Sequence, residues 1–173
     1  AKLNEQSRVM HETSSRLKVL REMARDYDGY QNAVKQALLY ARGDSSVRGV
    51  VANILHTPKD YERALEMVLG PALQNIITED EHAAKRLINY LRQNRMGRAT
   101  FLPMSTIRGR TLSYDERQVL SMPGCVGVAS ELVQFGEEYR GIVENLLGRT
   151  VIAENLDTGI EIMRRGRHAF RLV

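Results

Sequence analysis

The stretch NIITEDEHAAKRLINYLRQNRMGRATFLP, residues 75–103, decides how this chain is read. It opens on Asn75-Ile76-Ile77, a short β-branched run that reads as a strand. Thr78-Glu79-Asp80-Glu81 then has the form of a capping box, a hydroxyl followed three residues on by a carboxylate, and predicts a helix start. Ala84, Leu87, Ile88 and Leu91 recur at steps of three and four, so this helix buries one face. Gly97 closes it, and Arg98-Ala99-Thr100-Phe101-Leu102 returns to strand character until Pro103 removes a ladder donor. A strand, a helix and a strand within about thirty residues make the unit from which α/β folds are assembled.

Working outward, the same alternation continues on both sides. Upstream, Gly49-Val50-Val51-Ala52-Asn53-Ile54-Leu55 is an apolar run that predicts a strand. Thr57-Pro58-Lys59-Asp60 begins a helix whose inner face is Tyr61, Ala64, Leu65, Val68 and Leu69, and Gly70-Pro71 stops it. Burying the larger of these side chains contributes roughly 1.5 to 3 kcal/mol each, which marks a core helix. Downstream, Ser113 to Glu116 is a second capping box, opening a short helix that reaches Met122-Pro123. Then come a strand at Cys125-Val126-Gly127-Val128-Ala129 and a helix carrying Tyr139, Ile142, Val143, Leu146 and Leu147 that ends at Gly148. A strand at Thr150–Ala153 and a helix with Ile160 and Met163 that ends at Gly166 complete the series.

The second series repeats the first. Gly148 stands where Gly70 stood, and Gly166-Arg167-His168-Ala169-Phe170 follows the pattern of Gly97-Arg98-Ala99-Thr100-Phe101. The expected fold is α/β (α+β), with two related small subdomains. Residues 43–123 form the first with a connecting segment, and residues 124–173 form the second. Two similar halves with unlike strand edges can pair across a two-fold axis.

Residues 1–42 read as a long helix that enters this body. Leu3, Gln6, Met10, Thr13, Leu17, Leu20, Ala24 and Tyr27 alternate steps of three and four, a coiled-coil seam with polar lapses. A seam this short has the pattern of an ordinary amphipathic helix as well. At Asp28-Gly29 the phase slips, and Tyr30, Val34, Ala37, Leu38 and Ala41 continue on a shifted face, as a helix does when it leaves one partner and docks on another.

Net charge is +4, but its distribution is uneven. Between Glu81 and Asp115 every charge is positive: Lys85, Arg86, Arg92, Arg95, Arg98, Arg108 and Arg110. Arg164, Arg165, Arg167 and Arg171 form a second block. Guanidinium forks grip phosphate, so anionic polymers are expected partners, with solvated helix faces as the plain alternative. Ile107-Arg108-Gly109-Arg110 is the most suggestive piece, since two forks around a glycine can meet phosphates together with a backbone N–H. Aromatic residues are sparse and tryptophan is absent, which favours backbone contact over base stacking.

No catalytic pattern is present. There is no G-x-x-x-x-G-K-[ST] loop, no G-x-G-x-x-G and no G-x-S-x-G elbow. Asp157-Thr158-Gly159 matches the aspartic-protease triplet, but it precedes apolar residues at helical spacing, so Asp157 is expected to be a helix N-cap. Histidines 11, 56, 82 and 168 stand apart with no metal-ligand spacing, and Cys125 in an apolar run reads as a small buried hydrophobe. One cysteine excludes an internal disulfide, and no apolar run approaches the roughly 20 residues that span a bilayer. The polar opening Ala1-Lys2-Leu3-Asn4-Glu5-Gln6 carries no signal-peptide pattern, so a cytoplasmic protein is expected.

Three blocks resemble the hinge domain of bacterial SMC (structural maintenance of chromosomes) proteins: Gly49 to Leu55, Asp60 to Gly70 with Leu73-Gln74-Asn75-Ile76-Ile77, and Gly97-Arg98-Ala99-Thr100-Phe101-Leu102-Pro103. The resemblance implies a homodimerising hinge that joins two coiled-coil arms of a chromosome condensation and segregation ATPase at the nucleoid. ATP and Mg would belong to distant head domains, with no cofactor in these residues. Its partners would be a second copy of itself, DNA and an antiparallel return helix, with no membrane. By motif position the DNA candidates are Arg108 and Arg110, joined by Arg92, Arg95 and Arg98. The candidates for the dimer contact are Gly124, Val126, Gly127, Val128, Phe170 and Leu172. In the family a glycine-rich segment and the return helix follow a strand like Phe170–Val173, so residues 124–173 are expected to be an incomplete subdomain. The alternative is a small α/β enzyme or binding domain for an acidic or phosphorylated ligand, which would need a pocket of converging polar groups.

Overall fold

The computed structural model describes residues 30–166 and the strand at residues 171–172; the seam read from Leu3 to Tyr27 lies outside the described residues. The first half contains α1 (Asn32–Tyr40), β1 (Val47–Val50), the single turn α2 (Val51–Ile54), α3 (Glu62–Leu69), β2 (Ile76–Thr78), α4 (Glu81–Gln93) and β3 (Phe101–Pro103). The second contains β4 (Cys125–Val128), α5 (Arg140–Leu147), β5 (Thr150–Ala153), α6 (Leu156–Arg165) and β6 (Arg171–Leu172).

Each half builds one three-stranded sheet, ordered β1-β2-β3 and β4-β5-β6. In each sheet the first strand runs antiparallel to the second, and the second runs parallel to the third across a helix. The sheets share even an irregularity. Register slips between Val47 and Gly49 in one and between Cys125 and Gly127 in the other. Gly49 has φ +97° and Gly127 has φ +147°, a region that side chains resist, so both bulges fall on glycine.

Strand alternation sorts the central residues of each sheet onto two faces. Ile76 faces a cluster made with Ala33, Val34, Ala37 and Leu38 of α1 and Leu87 and Leu91 of α4. Its counterpart Val151 faces Ile162 of α6 together with Leu112 and Val119. Ile77 and Ile152, one residue on, turn the other way into a core that both halves share. Val51, Leu65 and Leu69 enter that core from the first half, and Ala129, Val143 and Leu147 enter it from the second at the same interval along the chain. His56 and Gln134 are separated by this interval too. They pair with each other through two backbone hydrogen bonds of 2.8 Å, one in each direction. Equivalent residues that exchange identical bonds lie on a local two-fold axis, so the halves dock face to face around this bridge.

Several local expectations are corrected. The strand predicted over residues 49–55 ends at Val50, because the Asn53 side chain accepts the Val50 N–H at 3.0 Å and the chain turns into α2. Thr78 is not the cap of α4. It is buried as the last residue of β2 and its hydroxyl donates to the Asp80 carbonyl, while the Asp80 carboxylate accepts the Ala83 N–H at 2.9 Å. Ile88 is exposed, and Ala83 takes the buried position instead. Asn155, not Asp157, caps α6 by accepting the Thr158 N–H at 2.9 Å, and the helix buries Ile162 while leaving Ile160 exposed. The capping box at Ser113 and Glu116 is present in both directions, at 2.9 and 3.2 Å. It opens a 3-10 turn over residues 116–121.

Candidate nucleic-acid interface and strand edge

Beyond Gln93, Arg95 adopts a positive φ of 50° and the Met96 N–H bonds back to the Leu91 carbonyl at 3.0 Å. This reversal places Arg92, Arg95 and Arg98 around one hollow of about 490 Å³, lined also by Ile88, Leu91 and Phe101. All three arginines are exposed, and no carboxylate lines the hollow. A Cβ at Gly97 would meet Ala33 at 3.5 Å, so the hollow lies beside the first turn of α1. Three forks without a nearby acid make a site for anionic oxygen.

Other cations of the same block are already engaged. Arg86 pairs with Asp44 at 3.1 Å and donates to the Ser46 hydroxyl at 2.9 Å. Hydrogen bonds from Ser46, with Arg86 adding attraction, hold the Asp44 carboxyl below the usual range. The second basic block is damped in the same way, since Arg164 and Arg165 both contact Glu161, at 3.0 and 3.2 Å. Arg167 and the Arg171 side chain lie outside the described residues.

Arg108 and Arg110 stand elsewhere, on the segment that joins the halves and crosses α5. Asn145 donates to the Arg108 carbonyl at 2.9 Å, and Arg149 donates to the Thr111 carbonyl at 3.1 Å. Both arginine side chains are exposed, but the glycine between them faces a carboxylate: a Cβ at Gly109 would stand 2.6 Å from Oε2 of Glu144. The Glu144 carboxylate therefore stands beside the glycine that separates the two forks.

Arg149 also grips Glu116, with Nη1 to Oε1 at 3.0 Å. This contact, with the Ser113 N–H, holds the Glu116 carboxyl down to about 2. The capping box made Glu116 visible in the sequence, but nothing local pointed to Arg149, which reaches it from beyond α5.

The dimer candidates separate into core and edge. Val128 is 2% exposed and packs with Val151 and Ile162, while Val126 packs on the shared core. Val128 has no side-chain surface to offer a partner, whereas Val126 is half-buried. Gly124 and Gly127 are half-buried at either side of the bulge, and among the described residues β4 pairs with β5 alone, so it offers edge-strand main chain. Leu172 lies in β6, the other edge of this sheet, while its side chain and all of Phe170 lie outside the described residues. Burial raises the Cys125 thiol above its ordinary value and keeps it protonated. Among the described residues no helix is long and apolar enough to cross a membrane, and no three His, Cys, Asp or Glu side chains gather as metal ligands would.

Residues 44–163 match the family model described as SMC proteins Flexible Hinge Domain. The chain belongs to the SMC hinge domain family. It is 38% identical over 165 residues to the chromosome partition protein Smc of Bacillus subtilis and 32% identical over 170 residues to that of Methanocaldococcus jannaschii, matches covering 95% and 96% of this chain. It spans only 14% of the length of either relative. Among solved structures it is similar to the Geobacillus stearothermophilus SMC hinge domain, described as an asymmetric dimer, with a TM-score of 0.82 and 35% identity. That match covers 99% of this chain and 70% of the other. The Pyrococcus furiosus SMC hinge domain is also similar, with a TM-score of 0.66, 25% identity and coverage of 94% and 81%. The SMC-hinge fold expected from the sequence, two small mixed subdomains, is the fold found. Family membership also favours the hinge over the enzyme kept as its alternative.

Proposed function

We propose that this domain is the homodimerisation hinge of a chromosome condensation and segregation ATPase, joining two coiled-coil arms, with DNA held non-specifically at the arginine hollow beside α1. The observation that carries the DNA reading is the convergence of Arg92, Arg95 and Arg98 on one hollow that no carboxylate lines. Arg108 and Arg110 add separate phosphate contacts across α5. The dimer reading rests on family membership and on the Geobacillus relative, with the main-chain edges of the second sheet as the contact. The domain itself takes no cofactor in this proposal. ATP and Mg act at head domains, an antiparallel return helix pairs with the arm, and the whole protein works in the cytoplasm on the nucleoid.

Duplex binding measured by fluorescence anisotropy against salt tests the DNA part. Removing one arginine–phosphate pair should lower the logarithmic salt slope by about 0.9. The triple variant Arg92→Glu, Arg95→Glu, Arg98→Glu is expected to lose more slope than the double variant Arg108→Glu, Arg110→Glu. An unchanged slope in the triple variant removes the hollow from the interface. For the dimer, a hinge extended through the segment that follows it in the family should sediment as a dimer at micromolar concentration, and a persistent monomer refutes it.

A further inference from the structure

The two groups of open arginines are held in different ways. Arg92 is part of α4, and Arg95 belongs to the reversal closed by the Met96 N–H, so main-chain hydrogen bonds set their bearing. Arg108 and Arg110 lie on a stretch that is neither helix nor strand. Among the described residues, no main-chain N–H or carbonyl from Arg108 to Leu112 bonds to another backbone group. A segment without a ladder of its own is ordered only by what it lies against.

What it lies against is one face of α5. Gly141, Asn145 and Gly148 follow at steps of four and three, so they share that face, and Arg149 stands just beyond. Four carbonyls of the segment meet it. A Cβ at Gly141 would stand 3.4 Å from the Ile107 oxygen, and a Cβ at Gly148 would collide with the Arg110 oxygen. Between and beyond them, Asn145 donates to the Arg108 carbonyl at 2.9 Å and Arg149 to the Thr111 carbonyl at 3.1 Å. The glycines supply closeness and the two polar side chains supply donors. Gly109 belongs to the same fit, since any side chain there would meet Glu144, whose charge Arg140 offsets from 3.4 Å. With its main chain turned to the helix, the segment leaves both arginine side chains exposed.

We infer that Asn145 is a positioning residue for nucleic acid: with Gly141 and Gly148 it holds the joining segment on α5, so that Arg108 and Arg110 are presented to phosphate from a fixed main chain. This rests on the DNA reading given above and adds that the contact depends on uncharged residues of α5. Cations on a loose segment must be ordered as they bind, and docking on α5 meets that cost in advance. Linkage makes the effect reciprocal, so bound DNA in turn holds the segment on α5.

Two variants of the whole domain test this without altering any charge. Asn145→Ala removes one donor from an exposed helix position, and Gly148→Ala removes no donor but forces a methyl against the Arg110 oxygen. Circular dichroism checks that both are folded. In fluorescence anisotropy with a short duplex at low salt, each should bind about threefold to tenfold more weakly, the effect of ordering one or two long side chains on binding. Amides of residues 107–112 should exchange faster in both. Saturating duplex should slow those amides in the unaltered domain and not in Arg108→Glu, Arg110→Glu.

The failures are distinguishable. If Arg108→Glu, Arg110→Glu binds duplex as tightly as the unaltered domain, these arginines do not contact DNA and the inference falls with the reading beneath it. If that variant binds weakly but Asn145→Ala and Gly148→Ala bind normally, the arginines act without the helix and the inference alone is overturned. Unchanged exchange over residues 107–112 in both variants overturns it too. Weaker binding by Asn145→Ala alone would make Asn145 a direct contact with DNA and end its positioning role.

Discussion

In the first half Ile76 lies beneath two helices, α1 and α4, whereas its counterpart Val151 lies beneath α6 and the 3-10 turn at residues 116–121. The sheets, the bulges and the shared core are the same, and only the outer covering differs. The first half is closed by the helix that leads in from the amino-terminal side. The second is closed by the segment that joins the halves. A three-stranded sheet with one apolar face turned outward needs a cover but does not specify which, so each half took the chain that reached it. That choice also separated the charges. The half that received α1 holds the open arginine hollow, and the half that received the joining segment carries Arg108 and Arg110 across α5.

The largest expected effect tests the part held in common. Leu69 and Leu147 enter the shared core from opposite halves, and truncating either to alanine should cost about 2 to 5 kcal/mol in urea denaturation. Costs that differ by more than about 2 kcal/mol would break the equivalence, since like sites in one core leave like cavities. Next comes Gly148→Ala, which drives a methyl against the Arg110 carbonyl and must push the joining segment outward. A cost of about 1 to 3 kcal/mol is expected, with faster amide hydrogen exchange over residues 108–112 and no change over α3. If exchange in the joining segment is unchanged, close approach at Gly148 is not what holds it down.

The smallest effect depends on pH. Glu116 ionises at about 2 in the folded protein against an ordinary 4.5, so its stabilisation is fully present above about 4.5 and is lost as pH falls from there toward 2. Glu116→Gln should flatten that acid limb of the stability curve and loosen the joining segment. Asp44→Asn should do the same in the first half, where the Asp44 carboxyl is also held low by Ser46 and Arg86. If the two variants loosen the same half, the comparison of coverings fails.

Much of the fold was legible along the chain. Strands, helices and their glycine stops follow from spacing, and the Ser113–Glu116 box formed as its residues suggest. Where expectation and structure part, a neighbour two residues away made the better contact. Asp80 outcompeted Thr78 because Thr78 is buried at the end of β2, and Asn155 outcompeted Asp157 because the helix begins two residues earlier. The face of α6 differs as well, since the buried stripe runs through Gly159 and Ile162 and leaves Ile160 exposed.

The candidate site was less legible. Seven cations in a row without an acid suggested one basic surface, yet Arg86 is taken by Asp44 and the Arg-Gly-Arg piece is set against Glu144. Arg140 pairs with Glu137 and Glu144 at local helical spacing, but Arg149, which grips Glu116 from beyond α5, carries no local sign of its partner.

By itself the sequence determined the duplicated strand and helix pattern, the glycines at the bulges and the family, because these depend on periodicity and on residues close together in the chain. Only the tertiary structure decided which sheet received which cover and which arginines stayed open. Those outcomes depend on which distant segments meet across the two-fold axis, and a contact between distant residues leaves no mark on the local pattern of either.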